Sequence, residues 1–283
     1  MGAIDIVTNL FTPLEVAKKQ TGFDDEFAKK VRIPQESRGG VTEAAYLEKM
    51  DRAGIERSLL IAVRAGDRRL NTSFEISYER VHEVCQQYPS RYSGLAGIDP
   101  YRGMEGLRDL QRAVTDYGFV GAHLYPHWFE MAPDHARYYP YYAKCCELQI
   151  PIMMQVGQNL IYQRGQKLPS VGRPICLDQV AIDFPELTII GIHIGIPWTD
   201  EMIAMAWKHD NVFIGVDAHA PKHWPDQIVR YLDSYGRHKV MFGTDWPVID
   251  PERAVAEIAD LPIRPESRAM LMHENARRVF RLP

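Results

Sequence analysis

The chain has 283 residues, with 33 Lys and Arg against 37 Asp and Glu, for a formal charge of −4. Apolar residues make up 46 % and charged residues 25 %, and the 20 Gly and 19 Pro are dispersed, which excludes disordered and collagen-like chains. No apolar run approaches the roughly 18–20 residues of a membrane span, and no basic excess points to nucleic acid, so neither is expected as a partner.

Taken in chain order, short apolar runs alternate with helical text. Strands are expected over 3–10, 57–63, 92–98, 119–125, 150–156, 188–194, 212–216 and 239–243. Their apolar character is nearly continuous, as in parallel strands buried on both faces. The first helix, over 41–53, has Thr42 as its N-cap, Leu47, Met50 and Ala53 on one face, and Gly54 as its stop. A second over 106–117 sets Leu107, Leu110, Ala113 and Val114 on one face and ends at Gly118. Helices over 174–184, 198–209, 250–259 and 264–280 complete the pattern. Eight strand–helix units without a linker predict a single (β/α)8 TIM barrel over residues 1–283. A doubly wound sheet is the alternative. It would place a Gly-rich phosphate loop after the first strand, where the text is Thr8-Asn9-Leu10-Phe11-Thr12-Pro13.

Cys85, Cys145, Cys146 and Cys176 show no Cys-x-x-Cys spacing and read as reduced thiols of a cytoplasmic protein. The opening MGAIDIVTNLF lacks the basic and long apolar segments of a secretory signal, and Ile6 stands where a myristoylation signal has Ser or Thr.

A barrel places its chemistry at the C-terminal strand ends. In order these are Val7 and Asn9, Arg64, Asp99, His123 with Tyr125 and His127, Gln155, His193, Asp217 with His219, and Asp245. Histidines and carboxylates thus converge from distant parts of the chain. Basic residues gather in loops on the same face: Lys29, Lys30, Arg32 and Arg38; Arg64, Arg68 and Arg69; Arg164, Lys167 and Arg173. As a set they suit an anionic substrate. Tyr138, Tyr139, Tyr141 and Tyr142 read as a packed helix start rather than a cofactor box.

Five segments resemble the amidohydrolase-related family, which includes aminocarboxymuconate-semialdehyde decarboxylase and 2-hydroxybenzoate-type decarboxylases. They are GLAGIDP (94–100), GFVGAHLYP (118–126), CLDQVAIDFPELTIIGIHIGIPWTDEM (176–202), KVMFGTDWPV (239–248) and ENARRVFRL (274–282). The resemblance implies a barrel of the metal-dependent hydrolase type. That family begins with Asp-x-His-x-His and has a His ending strand 5. Here the text is Asp5-Ile6-Val7-Thr8-Asn9, and Gln155 stands at the second place. His193, Asp245 and His123 remain as a metal set for Zn²⁺ or Mn²⁺. The other reading is a site in which these three act on the substrate directly. No organic cofactor is expected.

The IDIVTNLFTP start and the HLYPHWFE stretch are similar to 4-hydroxyphenyl-β-ketoacyl-CoA hydrolases. This implies a hydrolase that cleaves the carbon–carbon bond of an aryl β-ketoacyl-CoA in aromatic (phenylpropanoid) catabolism. Asp245 is then the candidate base, His193 the oxyanion stabiliser or metal ligand, and His123 the acid or third ligand. Arg64 and Arg173 are candidates for the coenzyme A phosphates, and Tyr125, His127 and Trp128 for the aryl ring. Gln155 and His219 are candidates for other substrate contacts. Two alternatives stay open: a decarboxylase of an aromatic or muconate-type acid, and a catalytically retired barrel serving as a partner subunit. A homo-oligomer is expected.

Overall fold

The computed structural model describes residues 2–68, 73–159, 162–163 and 166–283, with the backbone alone at 162, 163 and 166. Arg69 and Arg164, counted above among the basic loops, lie outside the described residues. Eight parallel strands pair in sequential order: β1 Ala3–Asn9, β2 Ile55–Ala62, β3 Tyr92–Gly97, β4 Gly121–Leu124, β5 Ile152–Gln155, β6 Ile189–Ile192, β7 Val212–Gly215 and β8 Val240–Met241. The chain then returns to β1. Ile6 N–H donates to the Phe242 carbonyl at 3.1 Å, Asp245 N–H to Val7 at 2.9 Å and Asn9 N–H to Trp246 at 3.0 Å. The sheet so becomes the nearly closed TIM barrel that the strand pattern predicts.

Burial on both faces explains the continuous apolar runs: every residue of β1, β3, β4 and β5 is buried. The first expected helix is Glu43–Ala53. Thr42 Oγ1 accepts from Ala45 N–H at 3.3 Å, and Gly54 stops the helix in the left-handed conformation at φ 70°. The second starts earlier than expected, as Gly103–Thr115, because the 3₁₀ turn Pro100–Arg102 leads directly into it. The last expected helix is divided into Pro265–Ala269, a π turn Met270–Glu274 and Asn275–Val279. There Asn275 Nδ2 donates to the Arg237 and Val240 carbonyls and ties this end to β8. Two short antiparallel hairpins, Arg64–Ala65 with Phe74–Glu75 and Tyr162–Gln163 with Gln166–Lys167, were not expected. Among the described residues, no helix is long and apolar enough to cross a membrane.

A buried carboxyl joins the first and last strands. Thr244 Oγ1 donates to Asp5 Oδ2 at 2.5 Å, and the Thr244 and Val7 N–H groups donate to Asp5 Oδ1 at 3.0 and 3.1 Å. Burial raises the Asp5 carboxyl to about 7, against the opposing pull of these hydrogen bonds. An unfolded Asp titrates near ~3.9, so the folded chain holds this proton more tightly. The resulting stabilisation is complete below about pH 4 and is lost as the pH rises to about 7. Asp5→Asn should remove that slope. In EDTA, wild type should lose roughly 2–3 kcal/mol more than the variant between about pH 5 and about pH 8, read by urea unfolding. Equal losses would mean that Asp5 does not carry the proton.

Candidate active site

Three strand ends hold the reactive groups in unusual backbone. His193 and Ile194 follow β6 at φ 67° and 60°, Ala218 follows β7 at 61°, and Asp245 follows β8 at 54°. Side chains with a Cβ are strained in this left-handed region, and such strain persists where the surroundings over-determine it. Here the surroundings are hydrogen bonds. His193 N–H donates to Asp217 Oδ1 at 2.9 Å. Asn9 Nδ2 donates to Asp245 Oδ1 and to the Trp246 carbonyl, both at 2.8 Å.

The result is a compact cluster. His193 Nε2 lies 3.2 Å from Asp217 Oδ2 and 3.9 Å from Asp245 Oδ2. Burial lowers the His193 pKa, but the two carboxylates outweigh it and the net shift is upward. Burial raises the Asp245 carboxyl to about 7; His193 opposes this and Asp217 adds to it. His193 Nε2 and Asp217 Oδ2 are buried and, among the described residues, have no partner beyond each other, which leaves both able to take a further ligand. His193, Asp217 and Asp245 each offer one ligand atom, all within 4.8 Å of one another, the one such group among the described residues. One imidazole and two carboxylates, with further positions open, suit Zn²⁺ or Mn²⁺. The chain's residues therefore fit a divalent cation, but through Asp217 in place of the expected His123. His123 is fully buried within β4, its ring centroid 4.2 Å from that of Tyr125, and among the described residues neither ring nitrogen has a hydrogen-bond partner. Burial, with the nearby His193 charge, pushes it down to about 3.

Above the cluster is a cavity of about 780 Å³, counting the part open to solvent. The expected contacts Tyr125, His127, Trp128, Gln155 and His219 all line it, with His193, Asp245 and Asn9 on its floor. Loop aromatics that sequence reasoning missed complete the wall: Phe23 and Phe27, stacked at 5.3 Å, and Phe74, edge-on to Trp128 at 4.8 Å. Gly22 seats this wall, since at φ 67° a Cβ there would lie 2.4 Å from the Phe74 ring. Val171 N–H donates to His127 Nδ1 at 3.2 Å. Burial, reinforced by His193, lowers His127 and His219 to about 4, so both are neutral near pH 7.

Two expected substrate contacts lie elsewhere. Arg64 is buried against Asp109 at 3.0 Å, with Glu75 at 3.5 Å and the Tyr78 ring beneath it. Arg173 pairs with Glu201 and lies over Trp198. Acidic partners distant in sequence claim both, and neither lines the cavity. Lys29 pairs with Asp25, and Arg38 donates to the Ile33 carbonyl. The tyrosine cluster is packing: Tyr138 and Tyr142 are fully buried, and their hydroxyls donate to the Met131 and Pro133 carbonyls.

The chain is similar to γ-resorcylate decarboxylase of Rhodococcus jostii (strain RHA1), at 23 % identity over 276 residues, covering 80 % of this chain and 78 % of that protein. An uncharacterised TIM-barrel protein from Bordetella bronchiseptica superposes with a TM-score of 0.81 at 23 % identity, covering 100 % of this chain and 99 % of that one. A dihydroxybenzoic acid decarboxylase from Polaromonas sp. JS666, solved with bound manganese and the inhibitor 2-nitroresorcinol, superposes at 0.75 with 20 % identity, covering 99 % and 97 %. The amidohydrolase family profile matches residues 32–282. That match takes in seven of the eight barrel strands and all three residues of the His193 cluster, and the chain belongs to the amidohydrolase family.

Proposed function

We propose that the chain is a lyase that removes carbon dioxide from a small hydroxylated aromatic acid. The observation that carries this reading is the cavity wall. Aromatic faces close on a single carboxylate–imidazole cluster, and among the described residues no Lys or Arg lines the space. A flat, largely apolar ring fits such a wall. Its carboxylate needs a counter-charge, which the cluster supplies only when it holds a cation. The decarboxylases among the relatives support the same reading, one of them solved with manganese.

His193, Asp217 and Asp245 would hold the divalent cation, which when bound offsets their charge and binds substrate oxygens as a Lewis acid. The chain's own residues do the rest. Of the two carboxylates, Asp245 is the one that lines the cavity among the described residues, so it is the one placed to pass a proton from solvent to the substrate. Asn9 fixes its Oδ1 and so its direction. Asp245 gives that proton to the ring carbon that bears the carboxylate. The bond to the carboxylate then breaks, its electron pair restores the aromatic ring, and carbon dioxide leaves. Asp245 regains a proton from solvent. The loop aromatics hold the ring over the cluster and exclude water.

The aryl β-ketoacyl-CoA reading takes second place, since Arg64 and Arg173, its phosphate anchors, are engaged outside the cavity. The retired-subunit reading gives no purpose to the convergence of His193, Asp217 and Asp245 under an open cavity. To test the proposal, purified protein is given Mn²⁺ with dihydroxybenzoates or with an aryl β-ketoacyl-CoA. Carbon dioxide release from a dihydroxybenzoate, abolished by EDTA and restored by Mn²⁺, is expected. Acetyl-CoA release from the thioester, with no carbon dioxide from any acid, would replace this reading with the hydrolytic one.

A further inference from the structure

Two polar side chains at the ends of β4 and β5 face the cavity without a hydrogen-bond partner among the described residues. Tyr125 and Gln155 are 6 % and 9 % exposed, and both line the space above the cluster. Among the described residues neither side chain makes a hydrogen bond. They belong together, because β4 and β5 pair Leu124 with Met154, so the next residues on the two strands are side by side. A phenol and a carboxamide both donate and accept, and neither carries charge. Buried polar groups of this kind discriminate strongly for a ligand that satisfies them.

We propose that Tyr125 and Gln155 together read one uncharged oxygen substituent beside the substrate's carboxylate, and that the cavity accepts aromatic acids with one carboxylate and rejects those with two. The proposal rests on the decarboxylase reading and narrows its substrate class. The phenol stays an O–H donor, since burial and the charges of Asp245 and Asp217 push its pKa up. The influence of those two carboxylates also sets Tyr125 near the cluster, hence near the reacting end of a ligand. Among the described residues, the lining offers a second carboxylate no Lys or Arg. The remaining polar wall includes carboxamides from Asn9, Gln158 and Asn159, the Thr21 hydroxyl and the Trp128 indole N–H. A buried carboxylate left unpaired there is strongly disfavoured.

The test is calorimetric binding to the Mn²⁺-loaded protein, with benzoate, 2-hydroxybenzoate and 4-hydroxyisophthalate as probes. 2-Hydroxybenzoate should bind roughly 10-fold tighter than benzoate. Gln155→Met and Tyr125→Phe should each shrink that ratio to about threefold or less. 4-Hydroxyisophthalate, which adds one carboxylate to 2-hydroxybenzoate, should bind on the order of 100-fold more weakly. Equal binding of benzoate and 2-hydroxybenzoate, an unchanged ratio in Tyr125→Phe, a dicarboxylate as tight as the monocarboxylate, or no binding of any probe would each overturn the proposal. Tyr125→Phe removes a single oxygen, so it decides the matter if Gln155→Met fails to fold. Binding is read without turnover. Selective binding with no carbon dioxide release from any acid would therefore sink the decarboxylase reading and leave this one standing. Decarboxylation without the selectivity would do the reverse.

Discussion

Asp217→Asn should weaken Mn²⁺ binding on the order of 100–1000-fold in calorimetry, the loss expected when one of three protein ligands loses its charge. The substitution is nearly isosteric. Its Oδ1 can still accept from His193 N–H, at 2.9 Å in the wild type, so the left-handed turn after β6 keeps its support. What changes is Oδ2, the buried atom 3.2 Å from His193 Nε2. His123→Leu is the control. His123 is outside the ligand group, so Mn²⁺ affinity should stay within about threefold of wild type. If His123→Leu abolishes binding while Asp217→Asn leaves it intact, the cation is held by the set that the sequence alone suggested.

With Mn²⁺ held saturating, Asp245→Asn should lower kcat by roughly 10²–10⁴, because the proton carrier is lost, and like Asp217→Asn it should also weaken Mn²⁺ binding. The Asn carbonyl can still accept from Asn9 Nδ2, so the turn after β8 remains clamped. Asn9→Ala should give a smaller fall, because it releases the clamp and leaves the proton donor in place. A kcat close to wild type in Asp245→Asn would move the acid to another cavity residue.

The barrel was largely legible because parallel strands buried on both faces write themselves as apolar runs. β2, for example, reads Ser-Leu-Leu-Ile-Ala over its buried end. Helix limits with chemical caps, such as Thr42 and Gly54, were legible for the same local reason. The hairpins at Arg64–Ala65 and Tyr162–Gln163 were not, because two-residue strands have no room for a pattern. In the site, His193 and Asp245 stood out as polar residues ending apolar strands. Asp217 ends β7 in the same way, but His219 beside it drew the assignment. His123 lies outside the ligand group of the fold, and position at a strand end says nothing of which neighbours a side chain meets. The basic loops misled through omission: Asp109 lies 45 residues from Arg64 and Glu201 lies 28 from Arg173, separations across which no sequence window reads a pair. Phe23 comes from a loop, Phe27 from the six-residue helix Asp25–Lys30 and Phe74 from a two-residue strand, all too short to show a period.

The most direct measurement of the central claim is NMR of the reaction in deuterium oxide, with Mn²⁺-loaded protein and a dihydroxybenzoate carrying ¹³C in its carboxyl. Decarboxylation with proton delivery from Asp245 predicts labelled carbon dioxide and bicarbonate growing in step with a phenol bearing one deuterium at the vacated ring carbon, and neither product with Asp245→Asn. A carboxyl label that stays in the aromatic acid throughout, while the same preparation releases acetyl-CoA from an aryl β-ketoacyl thioester, would contradict it.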